Sequence, residues 1–194
     1  MKIQITGDSL AARYEGHGSP ILNELLTKKC GELEIVNTAI SGQNSQDLLD
    51  RKRLIQQAGG DFLFIFVGSN DLARHKPIDR ATFSSNLYQL IDGLHEWVDE
   101  IVLVSPPPVD EQKQAFRDND LIMSYVRVME AVAKEKSCQL VNIFRMFSEN
   151  EVPLAELMKG LADDGLHFGE VGYQLVTEAM LALINSRQSK ENLV

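Results

Sequence analysis

The chain has 194 residues, of which 44% are hydrophobic and 24% are charged. This length and composition are ordinary for a soluble globular protein and suit one α/β domain with a full core. The formal net charge of −9 would repel phosphate backbones, so no nucleic-acid partner is expected. No apolar run is long enough to span a bilayer, so no membrane span is predicted.

The N-terminus and the cysteines indicate the compartment. Residues Lys2–Thr6 already have a strand pattern, with no apolar signal segment before them. Cys30 and Cys138 belong to no Cys-x-x-Cys pair or metal-binding spacing, so both are expected to be free thiols. We therefore predict a soluble, cytoplasmic protein in reducing surroundings.

Short apolar runs predict five β-strands with helices between them. The third run is continuously apolar, which is typical of a central strand covered by helices on both faces. The predicted strands are Lys2–Thr6, Leu33–Asn37, Phe62–Val67, Ile101–Ser105 and Gln139–Ile143.

Helical periodicity fills the gaps between these strands. Ser45 is expected to cap the helix that it begins, with Asp47 near the positive end of the helix dipole. An apolar stripe predicts a helix over residues 79–98 and consists of Phe83, Leu87, Leu90, Ile91, Leu94, Trp97 and Val98. The other predicted helices cover Ile21–Cys30, Ser45–Ala58, Asn119–Lys136 and Gly169–Ser186.

The alternation of strands and helices predicts an α/β fold, a three-layer α/β/α sandwich around a five-stranded parallel sheet. We expect a single domain over residues 1–187, followed by a polar tail, residues 188–194, that frays. In open sheets of this kind the ligand site lies beyond the carboxyl ends of the strands. Catalytic residues are therefore expected in loops that follow strands.

The first such loop carries a serine. The segment Gly7-Asp8-Ser9-Leu10 directly follows the first predicted strand, so Ser9 would stand at the carboxyl edge of the sheet. Gly7 permits a tight turn at this point. Taken alone, the segment is more simply interpreted as a turn whose serine caps a helix.

Two further loops offer hydrogen-bond donors. Gly68-Ser69-Asn70-Asp71 follows the central strand, and the Asn70 carboxamide can point N–H groups at a developing oxyanion. Gly42 follows the second strand and can present its backbone N–H to a ligand. Both segments consist of ordinary turn formers, so neither is specific by itself.

The segment Asp163-Asp164-Gly165-Leu166-His167 precedes the final helix and is assigned to the loop after the last strand. A serine hydroxyl needs a base to become a nucleophile, and histidine suits this role near neutral pH. A carboxylate must orient the imidazole ring. Asp164 and His167 can supply both groups, although a turn-forming aspartate and a histidine without chemistry would have the same pattern.

The combination is more specific than its parts, because it fills the requirements of an acyl-transfer site from separate segments. In order and spacing, over nearly the whole chain, these motifs resemble the SGNH hydrolase superfamily, also called GDSL esterases or lipases. The resemblance implies a flavodoxin-like sandwich that hydrolyses esters or thioesters through an acyl-enzyme, with no metal or organic cofactor.

The resemblance also implies the role of each site residue. Ser9 would be the nucleophile, His167 the base and Asp164 its partner. The oxyanion hole would comprise the Ser9 N–H, Gly42 and Asn70. Many relatives have Thr or Ser soon after the Leu of the first motif, where this chain has Ala11-Ala12. That departure concerns local packing or substrate contacts and removes no triad residue.

Residues beside these motifs are also candidates. Asp8 and Asp71 are expected to be structural and to hold the loops of Ser9 and Asn70 through backbone N–H groups. His17 and His75 are candidates for the rim of the pocket. Phe116 is a candidate for an acyl pocket, a position that core packing would explain equally well.

We predict a serine esterase that acts on small acyl esters. A carbohydrate O-deacetylase, a thioesterase and a lysophospholipase stay open, because they would share the catalytic residues. An anion- or nucleotide-binding α/β module is a different class, in which the Gly7–Leu10 loop cradles an anion. The usual phosphate-binding motifs are absent from the sequence, and this alternative leaves Asp164 and His167 unexplained. A catalytically silent relative that binds other proteins is the third alternative, and the pattern predicts no particular homo-oligomer.

Overall fold

The computed structural model describes residues 1–75 and 77–191 and contains one sheet of five parallel strands. The strands are β1 (Lys2–Gly7), β2 (Glu34–Asn37), β3 (Gly60–Phe66), β4 (Val98–Val104) and β5 (Gln139–Val141). Their order in the sheet is β2-β1-β3-β4-β5, which is that of flavodoxin-like folds and confirms the predicted α/β sandwich.

Helices cover both faces of the sheet. Among the described residues, no helix is both long and apolar enough to cross a membrane. The helices are α1 (Ser9–Ala12), α2 (Ile21–Lys29), α3 (Ser45–Asp50), α4 (Lys52–Ala58), α5 (Arg80–Leu94), α6 (Asn119–Glu135), α7 (Ile143–Ser148), α8 (Leu154–Leu157) and α9 (Glu170–Glu191).

The central strand β3 separates two hydrophobic cores. Phe62, Phe64 and Phe66 pack with α2 and α9, whereas Leu63 and Ile65 pack with α5 and α6 on the other face. Successive side chains of a strand point to opposite faces, so a strand that is apolar throughout must be covered on both. Each such side chain contributes about 1.5–3 kcal/mol when it is fully buried.

The predicted helix over Ser45–Ala58 is interrupted. Its N-cap is Asn44 rather than Ser45, and the Asn44 side chain accepts hydrogen bonds from the backbone N–H groups of Gln46 and Asp47. Ser45 is instead the first helical residue and is buried. The chain leaves helical geometry at Arg51, between α3 and α4. Apolar periodicity does not reveal this break, because Leu48 and Ile55 are buried on either side of it, seven residues apart.

The predicted helix over residues 79–98 is too long. Helix α5 ends at Leu94, while Trp97 is 51% exposed and Val98 begins β4 opposite Gly60. Two apolar residues at helical spacing therefore belong to a turn and a strand. Pairing with Gly60 decides the structure of Val98, because it satisfies backbone hydrogen-bonding groups of this strand end in the sheet.

The C-terminal half contains helices that the prediction missed. Strand β5 ends at Val141, and Ile143, which was assigned to that strand, begins α7 instead. Helices α7 and α8 therefore lie between the last strand and the segment of Asp164. Helix α9 continues to Glu191, which is beyond its predicted end at Ser186 and inside the segment 188–194 predicted as a fraying tail; residues 192–194 lie outside the described part.

Gly7 allows β1 and β3 to approach each other where the chain turns towards Ser9. It pairs with Phe66 and has a φ of +136°. A Cβ atom at this position would lie 2.1 Å from the Phe66 carbonyl oxygen. The backbone N–H of Asp8 donates a hydrogen bond to that same oxygen over 3.2 Å. The Ser9 loop thus depends on a residue without a side chain.

Gly7→Ala should lower the free energy of unfolding by at least about 1–3 kcal/mol, because the residue combines a left-handed φ with a steric clash. Gly31→Ala is the control, since a Cβ there would meet only the Thr27 oxygen at 4.0 Å. Urea unfolding of both variants measures the difference. A Gly7→Ala protein as stable as the control would contradict this account of the turn.

Candidate active site

Ser9, His167 and Asp164 form a chain of hydrogen bonds at the carboxyl edge of the sheet. The Oγ of Ser9 lies 2.8 Å from Nε2 of His167, and Nδ1 of His167 lies 2.6 Å from Oδ2 of Asp164. Because an ionised carboxylate only accepts, Nδ1 carries the ring proton and Nε2 accepts from the Ser9 hydroxyl. The structure therefore brings together the three residues predicted as nucleophile, base and acid.

The Asp164 carboxylate is held by several donors. Its Oδ1 accepts the backbone N–H groups of Leu166 at 3.0 Å and His167 at 2.9 Å. Burial tends to raise the pKa of Asp164, but these bonds and the His167 ring outweigh it and hold that pKa at about 2. The carboxylate is therefore ionised throughout the neutral range.

His167 is tuned in the opposite direction. Burial lowers the pKa of His167 from its ordinary value, and the hydrogen bond and charge of Asp164 only partly counter this effect. The ring is consequently neutral at neutral pH, with Nε2 as an acceptor. A neutral imidazole beside a hydroxyl is the arrangement that general-base catalysis requires.

Gly42 and Asn70 line the same cleft as Ser9. Gly42 has a φ of +83°, and a Cβ there would meet nothing within 4 Å, so its backbone borders open space. The Nδ2 of Asn70 donates to the Gln43 carbonyl oxygen over 2.8 Å, which links the two loops. The cleft has a volume of about 410 Å³, and its lining residues are Ser9, Arg13, Ser41, Gly42, Asn70, Gln114, Phe116, Arg117, Asp164, Leu166 and His167.

Two buried aspartates support the loops. Oδ1 of Asp8 accepts the N–H of Leu10 over 2.9 Å, as predicted for the Ser9 loop. Oδ1 of Asp71 reaches further than predicted and accepts the N–H of Ser45 over 2.9 Å, which ties the Asn70 loop to the start of α3. Burial raises the pKa of Asp8 to about 7, and the charge of Asp71 adds to this effect.

The Asp8 contact also bears on the alternative of an anion cradle. The carboxylate of Asp8 is the N-cap of α1, and it occupies the N–H of Leu10. A phosphate bound at this turn would need such donors and would meet a carboxylate beside it. The local geometry therefore disfavours anion binding by the Gly7–Leu10 loop.

The sequence analysis missed Arg13, Gln114 and Arg117. Arg117 donates from Nε to the Ser69 carbonyl oxygen at 2.7 Å, and Gln114 donates from Nε2 to the Asp164 carbonyl oxygen at 2.6 Å. Both lie in the loop after β4, from which the sequence analysis named only Phe116 as a candidate. The signal that was available is position, because this loop leaves the same edge of the sheet.

The rim candidates have different surroundings. Phe116 lines the cleft and is 50% exposed, so it is not a core residue. His75 packs edge-on against Phe116, with ring centroids 5.2 Å apart. His17 instead pairs with Glu24 at 2.9 Å and lines a separate cavity beside α2. Of the two histidines, His75 therefore contacts a residue that lines the cleft, whereas the partner of His17 lines the separate cavity.

Comparisons with known proteins identify the family of this chain. The sequence model of the GDSL-like Lipase/Acylhydrolase family matches residues 5–175, so the chain belongs to this family. The crystal structure of the lipase/acylhydrolase from Enterococcus faecalis superposes with a TM-score of 0.84 and 28% identity, over 96% of each chain. The predicted SGNH/GDSL resemblance is confirmed, and the predicted class, hydrolases acting on ester bonds, is supported.

Two curated relatives each match more than two thirds of this chain. The N-acylneuraminate cytidylyltransferase of Escherichia coli is 30% identical over 165 residues, which are 81% of this chain but 36% of that protein. This chain thus spans about a third of that relative. The probable rhamnogalacturonan acetylesterase YesY of Bacillus subtilis is 27% identical over 157 residues, with 73% of this chain and 69% of that one covered.

Asp164→Asn should lower the pKa of His167 further, because it removes the charge that stabilises the imidazolium. NMR titration of the ring measures this pKa, which in the wild type should already lie below 6.5. Asp163→Asn is the matched control, since the Asp163 carboxylate binds Lys113 at 2.5 Å instead. An unchanged or higher pKa in Asp164→Asn would show that the carboxylate does not act on the ring.

Proposed function

We propose that this protein is a serine ester hydrolase for small acyl groups, with Ser9 as nucleophile, His167 as general base and Asp164 as the group that orients His167. The hydrogen-bonded chain Ser9–His167–Asp164, with distances of 2.8 Å and 2.6 Å, carries the proposal. Family membership supports it independently. Two segments far apart in sequence supply these groups, 158 residues apart for Ser9 and His167.

In the first half-reaction, Nε2 of His167 takes the hydroxyl proton of Ser9 while Oγ bonds to the ester carbonyl carbon. The carbonyl electron pair moves to the oxygen and creates the oxyanion. The backbone N–H groups of Ser9 and Gly42 and the Nδ2 of Asn70 stabilise this charge. The intermediate then collapses, the bond to the leaving oxygen breaks, and His167 protonates the departing alcohol.

In the second half-reaction, His167 takes a proton from water while the water oxygen bonds to the acyl carbon. The second tetrahedral intermediate collapses, the acid leaves, and His167 returns the proton to Ser9. The lowered pKa of His167 keeps the base form available at neutral pH. The rate should therefore rise with pH along a limb centred below 6.5, the ordinary value for histidine.

A short acyl group suits the cleft best. Its volume of about 410 Å³ is near the lower end of the about 300–1,000 Å³ of small-molecule sites. Charged and amide side chains, including Arg13 and Gln114, form part of the lining. A long alkyl chain would lie against these groups without satisfying them.

The first experiment is hydrolysis of p-nitrophenyl esters from acetate to palmitate. Ser9→Ala should abolish turnover, while the rate with the wild type should fall as the acyl chain lengthens. Ser148→Ala, an exposed serine at the end of α7, is the matched control and should behave like the wild type. An organophosphonate should label the wild type and the control but not Ser9→Ala. Wild-type rates in Ser9→Ala would refute the assignment.

A carbohydrate O-deacetylase is the second candidate function. A thioesterase is tested by adding a thioester substrate to the hydrolysis assay above. The polar lining of the cleft and the exposed ring of Phe116 at its edge favour a sugar ester, because aromatic faces pack on the apolar faces of sugars. The similarity to the probable rhamnogalacturonan acetylesterase YesY supports the same substrate class.

Phe116→Ala should raise KM for an acetylated oligosaccharide by about 5–10-fold, on the scale of about 1 kcal/mol for one aromatic contact, and leave p-nitrophenyl acetate unaffected. Trp97→Ala is the control, since Trp97 is equally exposed but precedes β4 at the other edge of the sheet. Equal effects on both substrates would argue against sugar recognition by this ring.

We also propose a cytoplasmic location for the enzyme. Cys30 and Cys138 are free thiols, as predicted, and such thiols persist in a reducing compartment. The net charge of −9 supports the expectation that no nucleic acid is bound. Cell fractionation tests the location, and recovery of the enzyme outside the cytoplasm would refute it.

A further inference from the structure

The carboxamide of Asn70 is held from both ends. Its Oδ1 accepts a hydrogen bond from Nη2 of Arg117 over 3.3 Å, and its Nδ2 donates to the Gln43 carbonyl oxygen over 2.8 Å. A guanidinium only donates and a backbone carbonyl only accepts, so the two contacts distinguish the oxygen end from the nitrogen end. One hydrogen of Nδ2 is used by Gln43, and among the described residues Nδ2 has no second acceptor, so the other hydrogen is available in the cleft that Asn70 lines.

Arg117 is itself held in a single position. Its Nε donates to the Ser69 carbonyl oxygen over 2.7 Å, and its Nη1 donates to Oε1 of Gln114 over 3.2 Å. The residue is only 9% exposed, although it makes no direct ion pair among the described residues. Burial lowers the pKa of Arg117, and the charges of Asp8 and Asp164 oppose this effect. A buried guanidinium is costly unless it is hydrogen-bonded, and here each of its three nitrogens donates one bond.

We propose that Arg117 is a positioning residue that sets the orientation of the oxyanion-hole carboxamide. If the carboxamide rotated by half a turn, its oxygen would face the Gln43 carbonyl and the developing oxyanion, and both contacts would be repulsive. Arg117 opposes this rotation, because its Nη2 would then face an amide nitrogen. Its positive charge also polarises the carboxamide and makes Nδ2 a stronger donor. The inference rests on the proposed hydrolase function, and it adds a residue from the loop after β4 to that site.

The first test does not depend on any substrate. In ¹⁵N NMR spectra, the side-chain amide of Asn70 should show one slowly exchanging hydrogen in the wild type, bonded to Gln43. Arg117→Met should accelerate exchange of this hydrogen by about 10-fold, the loss of one hydrogen bond of about 1 kcal/mol or more. Arg74→Met is the matched control, because Arg74 is an exposed arginine whose Nη2 binds Asp118 at 2.6 Å. Unchanged exchange in Arg117→Met would refute the inference, whatever the protein hydrolyses.

The second test is a double-mutant cycle on ester hydrolysis. Asn70→Ala should lower kcat by about 100–1,000-fold, and Arg117→Met by about 10–100-fold with KM within about 3-fold of the wild type. In the Asn70→Ala background no carboxamide remains to be oriented, so Arg117→Met should change kcat by less than about 2-fold. Losses that multiply in full would mean that Arg117 acts elsewhere and would overturn the proposal.

Arg117→Lys covers the case in which Arg117→Met does not fold, as judged by thermal unfolding. Lysine keeps the charge but lacks the planar fork, so kcat should fall between those of Arg117→Met and the wild type. A lysine variant slower than Asn70→Ala would contradict a role exerted through Asn70. Failure of the hydrolase proposal is separate: it would appear as a wild type that cleaves no ester, while accelerated amide exchange in Arg117→Met would still support the positioning role.

Discussion

The close pairing of β1 with β3 is the constraint on which the site depends. Gly7 lies against Phe66 where a side chain would collide with the carbonyl oxygen, so the loops of Ser9 and Asn70 leave the sheet side by side. The loop after β2, which contains Gly42, is held at the same edge of the sheet, because the N–H of Ile40 donates to the Gly7 oxygen over 2.9 Å. Backbone contacts at Gly7 and Phe66 thereby connect the three loops before any side chain contributes.

Asp164 and Asp8 differ in charge at neutral pH because they differ in burial and in the hydrogen bonds that they accept. Asp164 is partly exposed and accepts three hydrogen bonds from Leu166 and His167, so its pKa falls to about 2. Burial, together with the charge of Asp71, raises the pKa of Asp8 to about 7, although the hydrogen bond from the Leu10 N–H opposes this effect. Of these two aspartates, Asp164, which faces the His167 ring, is therefore the one that is fully ionised at neutral pH.

The strands were predicted more reliably than the helix boundaries. A strand such as β3 shows itself by a continuous apolar run, whereas the break at Arg51 leaves the apolar spacing of Leu48 and Ile55 intact. Val98 fits a helical stripe equally well, and only its pairing with Gly60 assigns it to β4. The short helices α7 and α8 are below the length at which periodicity distinguishes a helix from a loop.

The sequence by itself determined the α/β class and the chemical groups of the site. Apolar periodicity reflects the local geometry of each element, and the identities of Ser9, Asn70, Asp164 and His167 restrict the chemistry to few reactions. Only the tertiary structure decided that Asp71 would hold Ser45 and that Arg117 would hold Asn70, at separations of 26 and 47 residues. Such contacts depend on which loops the parallel sheet brings to one edge, and a local sequence pattern contains no information about which distant residues come into contact.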